Sequence, residues 1–345
     1  MTQQLQKIML EAIEQELIRQ VARLDQPNSK PFHEMLTYHM GWTGEGAGPF
    51  AAGKRIRPLL ALLAMYSVNG SGVKNNGEIN WLHAVSAAAA IELIHNFSLV
   101  HDDIQDNSEL RRGRKTAWVM WGAPMAINVG DALFVIANQA ILDLAQYYPP
   151  EMVVQAAGIL GNCCLALTRG QFLDMSFEDR ADIRLEEYWA MIGGKTSSLL
   201  SACTHIGALL GYAQSERLEA YRLSGYHLGL AFQVQDDILG IWGDEAVTGK
   251  SAASDLVEGK NSLPVLFALE KNGEFARRWR RGPIAAQEVE DMASLLEKEG
   301  AREYAVKMAE SETQKALSHL ERANPRGEAG EAMLELANKL LNRHQ

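Results

Sequence analysis

The stretch ELIHNFSLVHDDIQDNSELRRG, residues 92–113, sets Asp102, Asp103 and Asp106 close together and follows them with Arg111 and Arg112. On a helix, positions 102 and 106 stand one turn apart with 103 beside them, so three carboxylates converge on one patch. Such a patch repels itself. Two carboxylates about 4 Å apart cost roughly 1 kcal/mol in water and about 4 kcal/mol at an effective dielectric of 20, so a partly buried cluster usually holds a cation. An all-oxygen donor set suits Mg²⁺, which takes one or two carboxylates, keeps several waters and completes its shell with phosphate oxygens. The arginine pair suits the same phosphates, because guanidinium binds such oxygens bidentately.

Taken alone, a DDxxD pattern in an acidic chain also fits a solvated helix end. A second stretch, FQVQDDILG over 232–240, repeats the theme with Asp236 and Asp237. Two aspartate pairs closing helices on facing sides of a bundle would make one cleft with metals between them. A diphosphate held there would be gripped from both sides.

Composition bounds the rest. Of 345 residues, 47% are hydrophobic and 22% charged, enough for a sizeable core. Abundant Ala and Leu with few β-branched runs point to an all-α fold. No Pro/Ser-rich linker divides the chain, so one domain over 1–345 is expected. The net charge of −10 argues against nucleic acid as a partner, since that needs a broad basic surface. Cys163, Cys164 and Cys203 show neither metal-ligand spacing nor a paired framework, which fits a reducing compartment. The first twenty residues lack the basic start and apolar run of a signal peptide, so a cytoplasmic location is expected. The segment nearest to a membrane span, 196–214, is interrupted by Ser, Thr and His and reads as a buried helix, and no transmembrane segment is expected.

In chain order, 4–24 reads as an amphipathic helix broken at 27–31. A looser, glycine-rich region follows and leads to GKRIRP over 53–58. This motif puts Lys54, Arg55 and Arg57 before a helix expected near Pro58, where a bound phosphate would offset the clash between cations and the helix dipole. A basic solvated turn is the plainer alternative. A helix over 81–107 carries core-spaced apolar residues and places His95 two turns before Asp102, on the same face; a core histidine satisfied by backbone is the alternative. His83 and His101 read as structural. A helix over 124–147 bears Asp131, which fits helix-dipole chemistry. GQFLD puts Gln171 and Asp174 on one helix face. Gly193 and Gly194, each costing about 1 kcal/mol relative to alanine inside a helix, predict a kink that turns Lys195 and Thr196 inward. Residues 243–263, with Lys250, Asp255 and Lys260, read as a lid over a diphosphate or as a plain surface loop. The run 277–281, RRWRR, reads as a solvated face with a packed Trp.

These motifs, in this order, resemble the trans-isoprenyl diphosphate synthase (polyprenyl synthetase) family from about residue 53 to 263. GKRIRP, ELIHNFSLVHDDIQD, RRG, GQFLD, GGKT, FQVQDD, TGK and the lid lysine all fall in family order. The resemblance implies an orthogonal helical bundle around a central cleft (the isoprenoid synthase type I fold), usually a homodimer, joining isopentenyl diphosphate to an allylic diphosphate with Mg²⁺. By matching position it implies that Asp102, Asp103, Asp106 and Asp236 are metal ligands, with Asp237 beside them. Arg111, Lys195, Thr196, Gln233, Lys250 and Lys260 would contact the allylic diphosphate; Lys54, Arg57, His95 and Arg112 would hold isopentenyl diphosphate. Asp102, Asp103, Asp106, Arg111, Lys195 and Asp236 would thus carry the catalytic work.

Two departures stand out. The second aspartate motif ends in Gly240 rather than aspartate, with Asp244 and Asp255 as candidate substitutes, and the C-terminus lacks the strongly basic ending of some members. In the family, the residues five and four positions before the first motif line the floor of the product pocket. Here they are the bulky Phe97 and the small Ser98, a pattern resembling geranylgeranyl (C20) synthases; a farnesyl (C15) or longer product is the alternative. A terpene cyclase has no second diphosphate to bind, so GKRIRP and His95 speak against it. A silent partner subunit is opposed by the retained aspartates and cations.

Overall fold

The structure is a computed structural model that describes residues 2–70, 73–74, 77–78, 80–178, 180, 182–243 and 254–341. The expected lid contact Lys250 and the candidate substitute carboxylate Asp244 lie outside the described residues. Helices make up nearly all of the regular structure, as the composition predicts. They are α1 (Thr2–Val21), α2 (Lys30–His39), α3 (Pro49–Ala52), α4 (Ile56–Ser67), α5 (Val85–Gln105), α6 (Ala117–Trp121), α7 (Ala123–Leu142), α8 (Pro150–Phe177), α9 (Leu185–Ile192), α10 (Ser198–Leu210), α11 (Ser215–Trp242), α12 (Ser254–Val257), α13 (Leu263–Lys271), α14 (Glu274–Trp279), α15 (Val289–Lys298), α16 (Ala301–Ala323) and α17 (Gly327–Leu341). Two antiparallel hairpins interrupt them: β1 (Val73–Lys74) with β2 (Gly77–Glu78), and β3 (Leu110–Arg111) with β4 (Arg114–Lys115).

Contacts divide the chain into two compact units. The first comprises Met1–Asn162, Ala202–Tyr221 and Ala323–Leu334; the second comprises Cys163–Ser201, Arg222–Arg322 and Glu335–Gln345. In the first, α5 packs most extensively on α7, then on α4 and α1. The sequence explains the closeness. Ala87, Ala88, Ala89 and Ala90 are fully buried on α5, and a Cβ on Gly130 of α7 would overlap the His101 ring. Met9, Ile13 and Leu17, spaced one turn apart on α1, are completely buried, each such side chain contributing about 1.5–3 kcal/mol by leaving water.

Among the described residues, two apolar clusters hold the second unit together. One joins Tyr188, Met191 and Ile192 of α9 with Leu230, Val234 and Ile238 of α11 and Leu263 and Leu266 of α13. The other gathers Ile241, Leu256, Val265, Phe275 and Leu296. The first cluster flanks the second aspartate stretch and fixes its helix.

Three expectations are corrected. Residues 30–39, read as part of a loose region, form α2, because Pro31 sits in the first turn, where its missing N–H is harmless. The helix after GKRIRP begins at Ile56, two residues before Pro58. Thr196–Gln214 is not the most span-like segment: its helix covers only Ser198–Leu210, whereas Trp81–Gln105, Ala123–Gln146 and Pro150–Phe177 are long and apolar enough to cross a membrane by length and composition. The first of these carries Glu92, His95, Asp102 and Asp103.

Candidate active site

In the first unit the site grows from the C-terminal end of α5. The amide of Asp106 closes the helix on the Asp102 carbonyl at 2.8 Å, which sets the aspartates in the last turn. Carboxylates there oppose the negative end of the helix dipole, so a cation is doubly favoured. Arg111 answers part of that charge. Its Nε donates to Asp103 Oδ1 at 2.7 Å, and its Nη2 reaches Asp102 Oδ2 at 3.5 Å. Burial pushes the Asp103 carboxyl up to about 6, against the pull of Arg111.

The hairpin presents Arg111 in β3 and turns tightly at Arg112 and Gly113, both with positive φ, 53° and 73°. Two left-handed residues in succession make a turn whose twist matches the flanking strands. Arg112 then donates from Nη1 to the Ala51 carbonyl at 2.8 Å. Gly53 is glycine for two reasons: its φ is +88°, and a Cβ would overlap the Arg112 guanidinium. GKRIRP is thereby brought against RRG.

Within GKRIRP the three cations diverge. Lys54 is exposed, and Arg57 Nη1 lies 3.2 Å from His95 Nε2. Burial, then the guanidiniums of Arg57, Arg112 and Arg111, hold the His95 imidazole well below its ordinary pKa, so it is neutral and accepts from Arg57. Arg55 turns inward instead, bonding Glu92 and Glu14. Lys54, Arg57, Arg112 and His95, the expected isopentenyl diphosphate set, thus belong to one unit.

In the second unit, Gly193–Ser197 forms a π-helical turn between α9 and α10, the kink that the glycine pair predicts. Its tightness has a visible cause. A Cβ on Gly194 would overlap the Ala166 carbonyl and the Gly170 backbone, and one on Gly170 would overlap the Lys195 amide. The turn sets Lys195 Nζ 2.5 Å from Asp174 Oδ2 and lets Thr196 Oγ1 donate to Gln233 Oε1 at 2.8 Å. Gln233 Nε2 donates onward to Asp237 Oδ1 at 3.2 Å.

Asp237 is buried, and both of its oxygens are engaged. Oδ2 accepts from the Tyr188 hydroxyl at 2.7 Å and the Leu263 amide at 3.0 Å, while Oδ1 accepts from Gln233 and from Lys260 Nζ at 3.1 Å. A carboxylate has about four acceptor positions, so this one carries a full set of protein donors. Asp236, one residue earlier, is exposed. Lys260 also donates to Asp255 Oδ2 at 3.1 Å, and the two carboxylates raise its pKa although burial opposes them.

Phe97 and Ser98 diverge on α5. The Phe97 ring lies 5.2 Å from that of Phe134 on α7 and 5.0 Å from His101, whereas Ser98 Oγ folds back to the His95 carbonyl at 2.8 Å. Reading the sequence took Arg55 as a phosphate-facing cation like its neighbours, whereas it turns inward to Glu92 and Glu14, and it missed Glu92 and Tyr188 as parts of the site. The spacing of Glu92, one turn before His95, was the available signal; Tyr188 had none.

Could these residues hold Mg²⁺? Among the described residues no group of three His, Cys, Asp or Glu side chains forms a ready-made metal cage. In the first unit the donors at 102, 103 and 106 are all carboxylate oxygens, which suits an ion that keeps water and phosphate in its shell. The set fits Mg²⁺ bound together with a diphosphate.

Comparison with known proteins places this arrangement. The polyprenyl synthetase family model matches residues 49–297. The short chain isoprenyl diphosphate synthase of Methanothermobacter thermautotrophicus is 40% identical over 85% of this chain and 87% of its own. The (2E,6E)-farnesyl diphosphate synthase of Mycobacterium tuberculosis is 35% identical over 94% and 89%. The crystal structure of geranylgeranyl pyrophosphate synthetase from Pyrococcus horikoshii superposes with a TM-score of 0.84, at 31% identity over 99% of this chain and 98% of that one. With the motifs in order on this all-α scaffold, the chain belongs to the polyprenyl synthetase family and is a prenyltransferase.

Proposed function

We propose that this prenyltransferase condenses isopentenyl diphosphate with allylic diphosphates and releases mainly the C20 product. The two-diphosphate reading rests most directly on the neutral His95 held by Arg57 beside Arg112 and Lys54. Such a cationic group, which draws Lys54 and Arg57 from a motif apart in sequence from the aspartates, is what a second diphosphate requires.

Asp102, Asp103, Asp106 and Asp236 would hold Mg²⁺, with Asp237 fixing Gln233 and Lys260 in place. When bound, the metal neutralises charge on the leaving diphosphate. The protein's own part is positioning. Lys195 and Thr196 on the π-turn, with Gln233, Lys250, Lys260 and Arg111, orient the allylic diphosphate. Lys54, Arg57, His95 and Arg112 orient isopentenyl diphosphate so that its double bond attacks the allylic carbon as the C–O bond breaks. A proton then leaves the new unit, to the departing diphosphate. No side-chain nucleophile is needed, and juxtaposing two reactants supplies much of the rate.

C20 follows from the floor. Each added isoprene unit buries five carbons at roughly 0.8 kcal/mol per methylene, so growth stops only at an obstacle. Small Ser98 leaves the first layer open, and Phe97 backed by Phe134 forms a wall beyond it.

We further propose a cytoplasmic homodimer of this single synthase domain. Ile127, Phe134, Val135 and Leu142 of α7 are exposed and share one face, as do Val154, Leu165 and Phe172 of α8. Such faces suit a second copy of the chain. Incubation of purified protein with isopentenyl diphosphate, dimethylallyl, geranyl or farnesyl diphosphate and Mg²⁺, with products read by chain length, tests the reading. Absence of elongation from every starter would overturn it.

A further inference from the structure

We propose that Arg114 positions Lys54 for isopentenyl diphosphate by clamping the glycine-rich segment that leads into GKRIRP. The segment needs a clamp. Gly41, Gly44, Gly46, Gly48 and Gly53 all have positive φ, from 70° to 144°, and such residues give a chain no stiffness of its own. On one side of Lys54, Arg55 is anchored by its buried pair with Glu92. On the other side Arg112 reaches the Ala51 carbonyl, but the same guanidinium is assigned above to the diphosphate. A tether for which the substrate does not compete has to come from elsewhere.

Arg114 has the geometry for it. It stands in β4, two residues past Arg112, and each of its three nitrogens donates to a different carbonyl: Nη1 to Tyr38 at 2.8 Å, Nη2 to Thr43 at 2.7 Å and Nε to Glu45 at 2.9 Å. The first of these lies at the C-terminal end of α2, where a cation is favoured. The guanidinium also covers the Tyr38 ring, 4.0 Å from its centre. Tyr38 closes the clasp in return, its hydroxyl donating to the Lys115 carbonyl at 2.9 Å. Small residues leave room for this: a Cβ on Gly44 would overlap the Tyr38 ring, and one on Gly46 would meet Arg114 Cγ at 3.3 Å. Lysine is no substitute, because one ammonium neither spans three carbonyls nor stacks flat on a ring. Arg114 is therefore a positioning residue. Its purpose rests on the isopentenyl diphosphate site proposed above, and its placement on geometry alone.

Two measurements on the full chain separate placement from purpose. Hydrogen–deuterium exchange of peptides covering residues 37–53 is followed by mass spectrometry, without ligand, in the wild type, Arg114→Ala and Arg114→Lys. The amides of Trp42, bonded to Thr37, and of Gly48, bonded to Gly41, should exchange about tenfold faster or more in both variants. Steady-state kinetics then follow each substrate. Both variants should raise KM for isopentenyl diphosphate about fivefold or more, with kcat and the allylic KM within about twofold of wild type. Added to Lys54→Ala, Arg114→Ala should raise that KM by less than about twofold further, because it acts through Lys54. Arg114→Lys keeps the charge and also serves if the alanine variant folds poorly, so a wild-type KM in it would make Arg114 an electrostatic contact and overturn the clamp. Unchanged exchange, or effects of Lys54→Ala and Arg114→Ala that multiply, would overturn it too. A wild-type KM in Lys54→Ala would instead count against the substrate assignment, and the exchange data would still decide whether Arg114 holds the segment.

Discussion

Arg55 Nη1 and Glu92 Oε1 form a buried ion pair at 2.9 Å, both side chains only 4% exposed. Arg55 is the inward member of GKRIRP, held in a left-handed conformation at φ 47° and bonded also to Glu14, so it sets the turn that leaves Lys54 exposed and Arg57 against His95. Removing one partner leaves a buried charge uncompensated, so Arg55→Ala should lower stability by about 3–5 kcal/mol. Arg55→Met combined with Glu92→Leu should cost clearly less than the sum of the single changes. Urea denaturation of the three variants checks this, and additive losses would mean the pair is not coupled.

The two diphosphate groups should separate kinetically. Lys54→Ala or Arg57→Ala should raise KM for isopentenyl diphosphate about tenfold or more while changing that for the allylic substrate little, and Lys195→Ala should do the reverse. Steady-state kinetics with each substrate varied decides it. Equal effects on both substrates would refute the assignment.

Much of this site was legible because it is written in local pattern. The apolar spacing of α5 and α11 and the glycine pair before Lys195 lie within single segments, and the helices and the π-turn formed where they indicate. Contacts between segments were not. Arg55 looks like either neighbouring cation until its burial beside Glu92 is seen, and Pro31 looks like a breaker until it proves to open α2. The turn at Arg112 needs a positive φ that a non-glycine residue seldom adopts, so RRG did not announce a hairpin. Asp255 reaches Gly240 only because α12 folds back over α11.

Acid should destabilise the protein through two histidines. Burial, reinforced by Arg111 and Arg112, lowers His39 to about 3, and its Nε2 is sealed from solvent beside a cavity of about 30 Å³ lined also by Arg111 and Arg112. His95 is lowered as well. Unfolded histidines titrate near 6.5, so as pH falls the unfolded state takes up protons first. Their contribution is therefore flat above about pH 6.5 and destabilising below it, by up to about 1.4 kcal/mol per pH unit for each group. His39→Asn should flatten this acid slope in urea melts between pH 7.5 and 5, to about that extent. An unchanged slope would show that His39 protonates freely in the folded protein.

Product length should respond at two positions on α5. Phe97→Ala opens the space in front of Phe134 and should shift product beyond C20, whereas Ser98→Phe fills the first layer and should shift it towards C15. Chromatography of the dephosphorylated products reads the distribution. Unchanged profiles in both variants would place the floor elsewhere.

If the aspartates of both stretches act through Mg²⁺ on the allylic diphosphate, removing either should stop condensation. This is measured as the rate of condensation of labelled isopentenyl diphosphate with an allylic starter at saturating Mg²⁺, for the wild type, Asp102→Ala and Asp236→Ala, with helical content checked by circular dichroism. A fall in kcat of about 10²-fold or more is expected in each variant, comparable to removing a key electrostatic group, with the fold intact. A rate within a few-fold of wild type in either folded variant would contradict it.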